Sequence, residues 1–241
     1  LAAAVLPPAH PLASIVLVAN PIEVTQAIQT RTNTMPLVAD KTGVARVYVD
    51  VNGVAVSQPS IVNLYGTKAG VDLPGSPLAS LHMAPTTIDR TQLNNTANFQ
   101  LPKTWDNGTV EFKSTARSRL GSLSSSTPFS LAFTDKRKPN YWIVPINTGT
   151  AQAPVLASNA DIASQESYLE AVYPVADVNF TRKSWQVIGA TTVGNTIDDL
   201  NAYYNNVVLA WILSVLFGGG APYDLPDQIY GFTPSGGGIS D

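Results

Sequence analysis

Few residues of this 241-residue sequence have the type and spacing that metal chemistry requires. The chain has no cysteine and only two histidines, His10 and His82, which lie far apart in the sequence. Neither belongs to an HExxH motif, a facial triad or a calcium loop, so the sequence predicts no metal site. We interpret His82, which follows Ser80 and Leu81, as a loop or packing histidine rather than as a ligand or general base.

Nucleophilic catalysis and phosphate binding are poorly supported as well. Serine is frequent, but no GxSxG elbow occurs. The glycine runs at 218–220 and 236–238 lack the spacing of a dinucleotide-binding or Walker loop. Asp177, Asp224 and Asp227 could supply a glycosidase-like pair of carboxylates, although nothing in the sequence selects two of them. We therefore assign no catalytic residue.

The composition favours an exported protein that binds no nucleic acid. Apolar residues make up 44% of the chain and charged residues 13%, about half of the usual charged share of roughly 25%. Serine, threonine, asparagine and glutamine must then cover much of the surface, which is common in exported proteins. A net charge of −3 provides no basic surface for nucleic acid.

The sequence divides into a tail, a β-rich domain and a smaller α/β domain. Residues 1–14 form an Ala- and Pro-rich tail, residues 15–135 carry short β-patterned runs, and residues 139–241 alternate strands with helices and end in a Gly-rich tail. We place the boundary within 134–140. Short strands punctuated by Gly, Pro and Asn predict an Ig-like β-sandwich, although the Cys…Trp…Cys pattern is missing. The predicted strands lie at 22–29, 36–39, 44–51, 54–56, 61–65, 97–101, 109–114 and 129–133.

Two segments of the first domain lack a strand pattern. Residues 66–95 contain three prolines and are predicted to form one long loop. Residues 121–127 are serine-rich and are predicted to form a second exposed loop. Trp105 stands beside a turn signal at 106–108, and we expect it to anchor that turn rather than to bind a ligand.

The second domain is predicted to be an α/β layer with right-handed crossovers. Its elements in chain order are a strand at 141–147, a helix at 158–173, a strand at 184–189, a long helix and a strand at 227–233. Because Pro145 has no amide to donate, the strand at 141–147 is predicted to lie at an edge. The inward side of the first helix is expected to carry Ile162, Tyr168, Leu169 and Val172.

The long helix is indicated by apolar residues that recur at helical spacing over 197–216. Asn195 or Thr196 is predicted to cap its N-terminus, with Asp198 and Asp199 beside the positive end of its dipole. The glycines at 218–220 are predicted to end it. Its apolar run is too short to span a membrane, so we expect the helix to pack against a sheet.

Two stretches of the sequence resemble known proteins. Residues 22–29, Ile-Glu-Val-Thr-Gln-Ala-Ile-Gln, and the β-patterned run at 35–49 resemble the β domain that precedes the catalytic region in a group of secreted bacterial and archaeal zinc-metallopeptidase-like proteins. The later order of strands and helices, ending in Gln-Ile-Tyr-Gly-Phe-Thr-Pro at 228–234 and a glycine segment, is similar to the upper catalytic subdomain of metzincins, a class of zincins.

The resemblance implies that the chain is the N-terminal scaffold and cleft-forming part of an exported zinc endopeptidase. In that family zinc activates water and a glutamate of the HExxH helix acts as general base. An extended peptide substrate lies against the third strand. This implies substrate contacts with Ile229, Tyr230, Gly231, Phe232 and Thr233. Zinc is expected only in an intact family member, because this chain contains no HExxH motif.

Whether the chain is itself an enzyme stays open at this point. It could be truncated, nicked or complete. Half a catalytic domain would expose an apolar face, which predicts self-association or a complementing C-terminal fragment. The alternatives are a non-catalytic extracellular binding or adhesion module and a degenerate protease homologue.

Overall fold

The computed structural model describes residues 14–17, 22–118, 123–184, 187–188, 193–221 and 224–234. The chain divides into two compact units, Leu1–Lys136 and Arg137–Asp241, and the division lies inside the interval 134–140. Within the described ranges the chain is mostly β-sheet with two α-helices, which confirms an α+β fold.

The first unit consists of short β-strands and two 3-10 turns. In chain order the strands are β1 (Ser14–Leu17), β2 (Glu23–Thr25), β3 (Leu37–Val38), β4 (Val44–Val47), β5 (Val49–Asn52), β6 (Gln58–Lys68), β7 (Val71–Asp72), β8 (Leu78–Ala84), β9 (Ala97–Gln100), β10 (Gly108–Ser118), β11 (Leu123–Ser125) and β12 (Phe129–Thr134).

The two largest of the three sheets in the described part of the first unit share one hydrophobic core, to which β5 of the two-stranded β1-β5 sheet also contributes. The larger sheet has the order β3-β12-β10-β6-β7, with β8 also paired to β6 and β11 to β10, and the smaller sheet has the order β2-β4-β9. Val62 and Phe112 of the larger sheet belong to the same buried cluster as Val24 and Val47 of the smaller one. Trp105 is fully buried in that cluster and donates its indole N–H to the carbonyl of Pro74 at 2.9 Å, so it anchors its turn as expected.

The prediction of one long loop at 66–95 is wrong, because β7 and β8 lie within it. On β8 the buried side chains are His82 and Ala84, whereas Leu81 and Met83 face solvent. This alternation is the reverse of the usual apolar-in, polar-out pattern, so the sequence does not mark the segment as a strand. The predicted serine loop at 121–127 is wrong for 123–125, which form β11 on β10.

Several predicted strands differ from those observed. The predicted strand 22–29 ends at Thr25, because the side chain of Gln26 turns inward and bonds the backbone N–H and C=O of Val38 and the carbonyl of Lys41. The predicted strand 44–51 is divided between β4 and β5, and residues 54–56 form no strand. The hydrogen bonds from the Gln26 side chain to the backbone thus compete with strand pairing after Thr25.

The second unit is a small parallel sheet with two helices. Its elements are β13 (Asn140–Asn147), α1 (Asn159–Val172), β14 (Asn179–Arg182), β15 (Val187–Ile188), α2 (Val193–Leu216) and β16 (Gln228–Phe232). β13 pairs in parallel with β14 and β15 along one edge and with β16 along the other. The remainder of the predicted strand at 184–189 lies largely outside the described residues.

The prediction that residues 141–147 form an edge strand is wrong, because β13 is the central strand. The carbonyl of Ile143 accepts the amide of Lys183, so this side of β13 faces β14. The backbone N and C=O groups of successive residues point to opposite edges of a strand, so those of Pro145 point to the same edge as those of Ile143. β14 ends opposite Ile143, and β15 begins opposite Ile146. Pro145 thus lies in the gap between them, where no amide is needed.

Helix α1 has the cap that its sequence indicates, but not the predicted inward side. Ser158 and Asp161 form a capping box at its N-terminus. Ile162 is buried, whereas Tyr168 is 61% exposed and Val172 is 41% exposed, so the prediction that these two face inward is wrong. The backbone after α1 becomes extended at Tyr173, immediately before Pro174, which fits a proline stop.

Helix α2 begins earlier than predicted. It starts at Val193, so residues 195 and 196 lie within the helix, and neither is its N-cap. Asp198 and Asp199 accordingly fall outside the first turn. Gly218 adopts a left-handed φ of 81°, which ends the helix as the glycine run indicates. No helix in the described ranges combines the length and apolar character that crossing a membrane requires.

Candidate functional site

The five residues predicted to contact substrate lie on β16 or directly after it. β16 pairs with β13 along one edge, and no other strand in the described part of the chain pairs with it. The amide of Asp227 donates to the carbonyl of Asn140 on β13. Because backbone direction alternates along a strand, the N–H and C=O groups of Gln228, Tyr230 and Phe232 point away from β13. These are the groups that an added strand would bond.

Two of the predicted residues hold helix α2 against the sheet. Ile229 packs against the buried pair Val144 and Ile146, together with Leu200 of α2. A Cβ atom placed on Gly231 would lie 2.7 Å from Cδ1 of Leu200 and 2.9 Å from Cδ1 of Ile146. A side chain at this position would therefore force the ends of the Leu200 and Ile146 side chains to move. Thr233 lies beyond the last paired residue of β16.

Gly231→Val is expected to lower the free energy of unfolding of the second unit by about 2–3 kcal/mol, because the added carbons must displace Leu200 and Ile146. Urea denaturation measures the loss. Gln228→Val, at an exposed position of the same strand, is the matched control and should cost almost nothing. Equal stability of the Gly231→Val variant and the unaltered protein would contradict this packing.

The other face of β16 carries Tyr230 in an aromatic cluster. The ring of Tyr141 meets those of Tyr173 and Tyr230 edge-on at 5.5 and 5.3 Å between centroids. The hydroxyls of Tyr173 and Tyr230 are 2.5 Å apart. Burial, followed by the hydrogen bond to Tyr173, raises the pKa of Tyr230 well above its ordinary value. Tyr230 is therefore a neutral hydrogen-bonding group at physiological pH and not a base.

The carboxylates that might have formed a glycosidase-like pair are held by separate cations or lie apart. Asp227 accepts two hydrogen bonds from the guanidinium of Arg137, at 2.5 and 3.0 Å, and one from the amide of Asn140. The hydrogen bond from Arg137 lowers the pKa of Asp227. Asp177 forms an ion pair with Lys138. These pairings tie the start of β13 to neighbouring segments, so their role is structural.

The second half of α2 exposes a continuous apolar surface, which we call the α2 apolar surface. Exposure reaches 72% at Leu216 and 83% at Phe217. The other members are between 41% and 54% exposed and are Leu209, Ile212, Leu213 and Val215. A 24-residue helix is about 36 Å long, whereas the eight residues of β13 span about 26 Å. The helix therefore extends past the sheet that covers its first half.

The described residues do not fit a zinc site. Zinc in peptidases is held by three protein ligands of the His, Asp, Glu or Cys type. No group of three such side chains occurs in the described part of the chain. No catalytic step is therefore derived for these residues.

Comparison with known proteins identifies no family. No family of known sequences and no curated protein matches the chain. Among solved structures it is similar to one reported as "Structural insight into host cell surface retention of a 1.5-MDa bacterial ice-binding adhesin", with 12% identity over 58% of this chain and a TM-score of 0.28. It is also similar to a polysaccharide deacetylase from Bacillus cereus, with 13% identity over 68% of this chain and a TM-score of 0.25. The chain spans 37% and 50% of these two structures. Similarities with such low TM-scores give no evidence about fold or function.

The sequence did not indicate a groove in the first unit, beside β8. The groove measures about 560 Å³ and is lined by residues 80–83 and 94–98, with Ser57. Leu81 and Met83, which line it, are apolar and exposed. The proline content of the segment 66–95 is the sequence feature that sets this region apart.

Proposed function

We propose that this chain forms the scaffold and one wall of the substrate cleft of an exported zinc endopeptidase. The helix that carries the zinc ligands would lie outside these residues. Under this proposal the first unit is an Ig-like sandwich, and the second is the upper subdomain of the catalytic domain. The sheets that share a core support the first assignment, and a parallel sheet whose strands alternate with α1 and α2 along the chain supports the second.

The observation that carries this proposal is the α2 apolar surface. Soluble proteins rarely leave a large contiguous apolar patch uncovered, and such patches mark sites where another element packs. Here the patch occurs in the same unit as β16, whose outer edge has no strand partner in the described ranges. A catalytic domain that lacks its second half would have both features.

The chain's own residues would contribute binding rather than chemistry. The outward backbone groups of Gln228, Tyr230 and Phe232 would pair with an extended peptide, which gives affinity with little dependence on the peptide sequence. Gly231 and Ile229 would keep β16 in place by packing against α2. The substrate of the intact protein would accordingly be a peptide or protein.

The α2 apolar surface predicts self-association of this chain when nothing else covers it. Leu213→Glu is expected to weaken that association by at least about tenfold, because it removes an exposed leucine that association would bury and places a charge in the interface. Sedimentation velocity over a range of protein concentrations measures the effect. Asn206→Glu, at an exposed polar position on the same helix, is the matched control.

Two results would contradict this interpretation of α2. One is a chain that remains monomeric at all concentrations and binds no apolar dye. The other is an association that Leu213→Glu and Asn206→Glu weaken equally. In either case the alternative of a self-sufficient extracellular binding module would account better for the chain.

A further inference from the structure

Two sheet edges of the first unit face the same groove. β8 is paired only with β6, and β9 only with β4, in the described part of the chain. Residues 80–83 of β8 form one wall of the groove, and residues 94–98, which lead into β9, form the other. Edge strands present unpaired N–H and C=O groups that can accept another strand. This site lies in the first unit, and its existence does not depend on the zinc endopeptidase proposal.

The exposed side chains of β8 continue an apolar row from β6, and no further strand covers that row at the edge of the sheet in the described part of the chain. Leu81 is 84% exposed and Met83 is 54% exposed. Leu81 lies directly opposite Ile61 of β6, which is also 46% exposed. An additional strand beside β8 would place its own side chains next to Leu81 and Met83, and such cross-strand pairs stabilise a sheet.

The groove also contains a buried histidine with one ring nitrogen that lacks a hydrogen-bond partner among the described residues. His82 is 8% exposed, and its Nε2 atom makes no hydrogen bond within the described residues. Burial lowers the pKa of the imidazole, so the ring is neutral at pH 7. Buried polar atoms in folded proteins are nearly always hydrogen-bonded, and an exception marks a place where water or a ligand supplies the partner.

The groove is lined by uncharged residues, and one wall is already ordered. Among the described residues, no Asp, Glu, Lys or Arg lines it. On the 94–98 wall, Thr96 donates its hydroxyl hydrogen to Oδ1 of Asn98 at 2.9 Å, and Nδ2 of Asn98 donates to the carbonyl of Leu93 at 2.8 Å. These bonds fix the wall before anything binds. An uncharged ligand with its own backbone donors and acceptors suits such a site, whereas a charged ligand would find no counter-charge.

We propose that the free edge of β8 binds an extended, uncharged segment of another polypeptide as an added strand. The segment would bond the backbone at 80–83. Its apolar side chains, at alternate positions, would cover Leu81 and Met83. The opposite side chains would enter the groove above His82.

The test uses a fluorescein-labelled octapeptide of alternating threonine and valine, with the full chain titrated in solution. Saturable binding is expected. Leu81→Lys should weaken it at least tenfold, and this change cannot disturb the fold because the side chain is already exposed. Ala79→Lys, exposed on the same strand but outside the groove, is the matched control and should bind like the unaltered protein. The peptide can be N-methylated at its odd-numbered or at its even-numbered residues. The pattern that blocks the N–H groups facing β8 should abolish binding, and the other pattern should preserve it.

A second readout reports on the groove itself. The chain has two histidines, so the imidazole signals of His82 can be assigned by NMR with a His82→Gln variant. They should shift as the peptide is added, while those of His10 stay unchanged. The proposal is overturned by absence of saturable binding, by equal loss in the Leu81→Lys and Ala79→Lys variants, or by binding that leaves the His82 signals in place.

Discussion

Replacing Asp106 with asparagine is expected to stabilise the first unit above pH 7 and to change little at pH 5. Asp106 is fully buried, and neither carboxylate oxygen has a hydrogen-bond partner among the described residues. Burial, assisted by the negative charge of Asp40 and opposed by Lys68, raises the pKa of Asp106 to about 7. The folded protein therefore holds this carboxyl group protonated at acid pH and must bury a charge at alkaline pH.

The direction of the pH dependence follows from the two pKa values. The unfolded chain ionises Asp106 near 3.8, so the folded state begins to lose stability as pH rises above that value. The loss is complete above the folded pKa of about 7, and its upper limit is about 4 kcal/mol. Asparagine avoids the charge but leaves an amide without partners, which costs about 1–3 kcal/mol. We therefore expect a net gain of about 1–3 kcal/mol at pH 8.5.

Urea denaturation at pH 5 and pH 8.5 measures this difference. Asp72→Asn, which changes an exposed carboxylate on β7, is the control and should leave stability unchanged at both pH values. If Asp106→Asn lowered stability equally at both pH values, the carboxylate would instead be held by favourable contacts.

Glu23→Gln is expected to destabilise the first unit by about 3 kcal/mol, because it removes the buried carboxylate that pairs with two partly buried guanidinium groups. Glu23 accepts hydrogen bonds from Arg90 at 2.6 Å and from the hydroxyl of Tyr48 at 2.7 Å. Arg46 lies 3.9 Å from its other oxygen. Both guanidinium groups also lie over the ring of Tyr48, at 5.5 and 5.1 Å from its centroid.

Glutamine keeps the size and one acceptor oxygen of Glu23, so the expected loss of stability comes mainly from the lost negative charge. Nε of Arg46 already lacks a partner, and the change would leave the cluster with two uncompensated positive charges. Because the cluster is buried, the loss should persist in 1 M salt, which screens exposed pairs. Glu111→Gln, exposed on β10, is the control and should cost less than about 0.5 kcal/mol. A loss that vanished in salt would contradict the buried ion cluster.

Much of the second unit can be predicted from its sequence because local signals agree there with the tertiary structure. Ser158 and Asp161 mark the start of α1, and Gly218 marks the end of α2. The position of β13 cannot be predicted in this way. Pro145 indicates an edge strand, and only the gap between β14 and β15 makes a central proline acceptable.

In the first unit, the features that the sequence does not predict depend on contacts between residues that are far apart in the sequence. β8 carries its apolar side chains outward and His82 inward, so periodicity gives no correct indication of it. Gln26 ends β2 by reaching residues more than ten positions away. The burial of Asp106 and Glu23 likewise depends on neighbours that are distant in sequence. The assignment of Ile229–Thr233 to a cleft came from the resemblance alone and stays a prediction.

The most direct test of the proposed function is to sequence the gene downstream of the codon for Asp241. We predict an HExxH motif in the same reading frame shortly after the glycine segment. The protein expressed with that extension should bind one zinc ion, and the extension should cover the α2 apolar surface. A stop codon directly after Asp241, with no such motif encoded by a neighbouring gene, would contradict the endopeptidase proposal and favour a binding module.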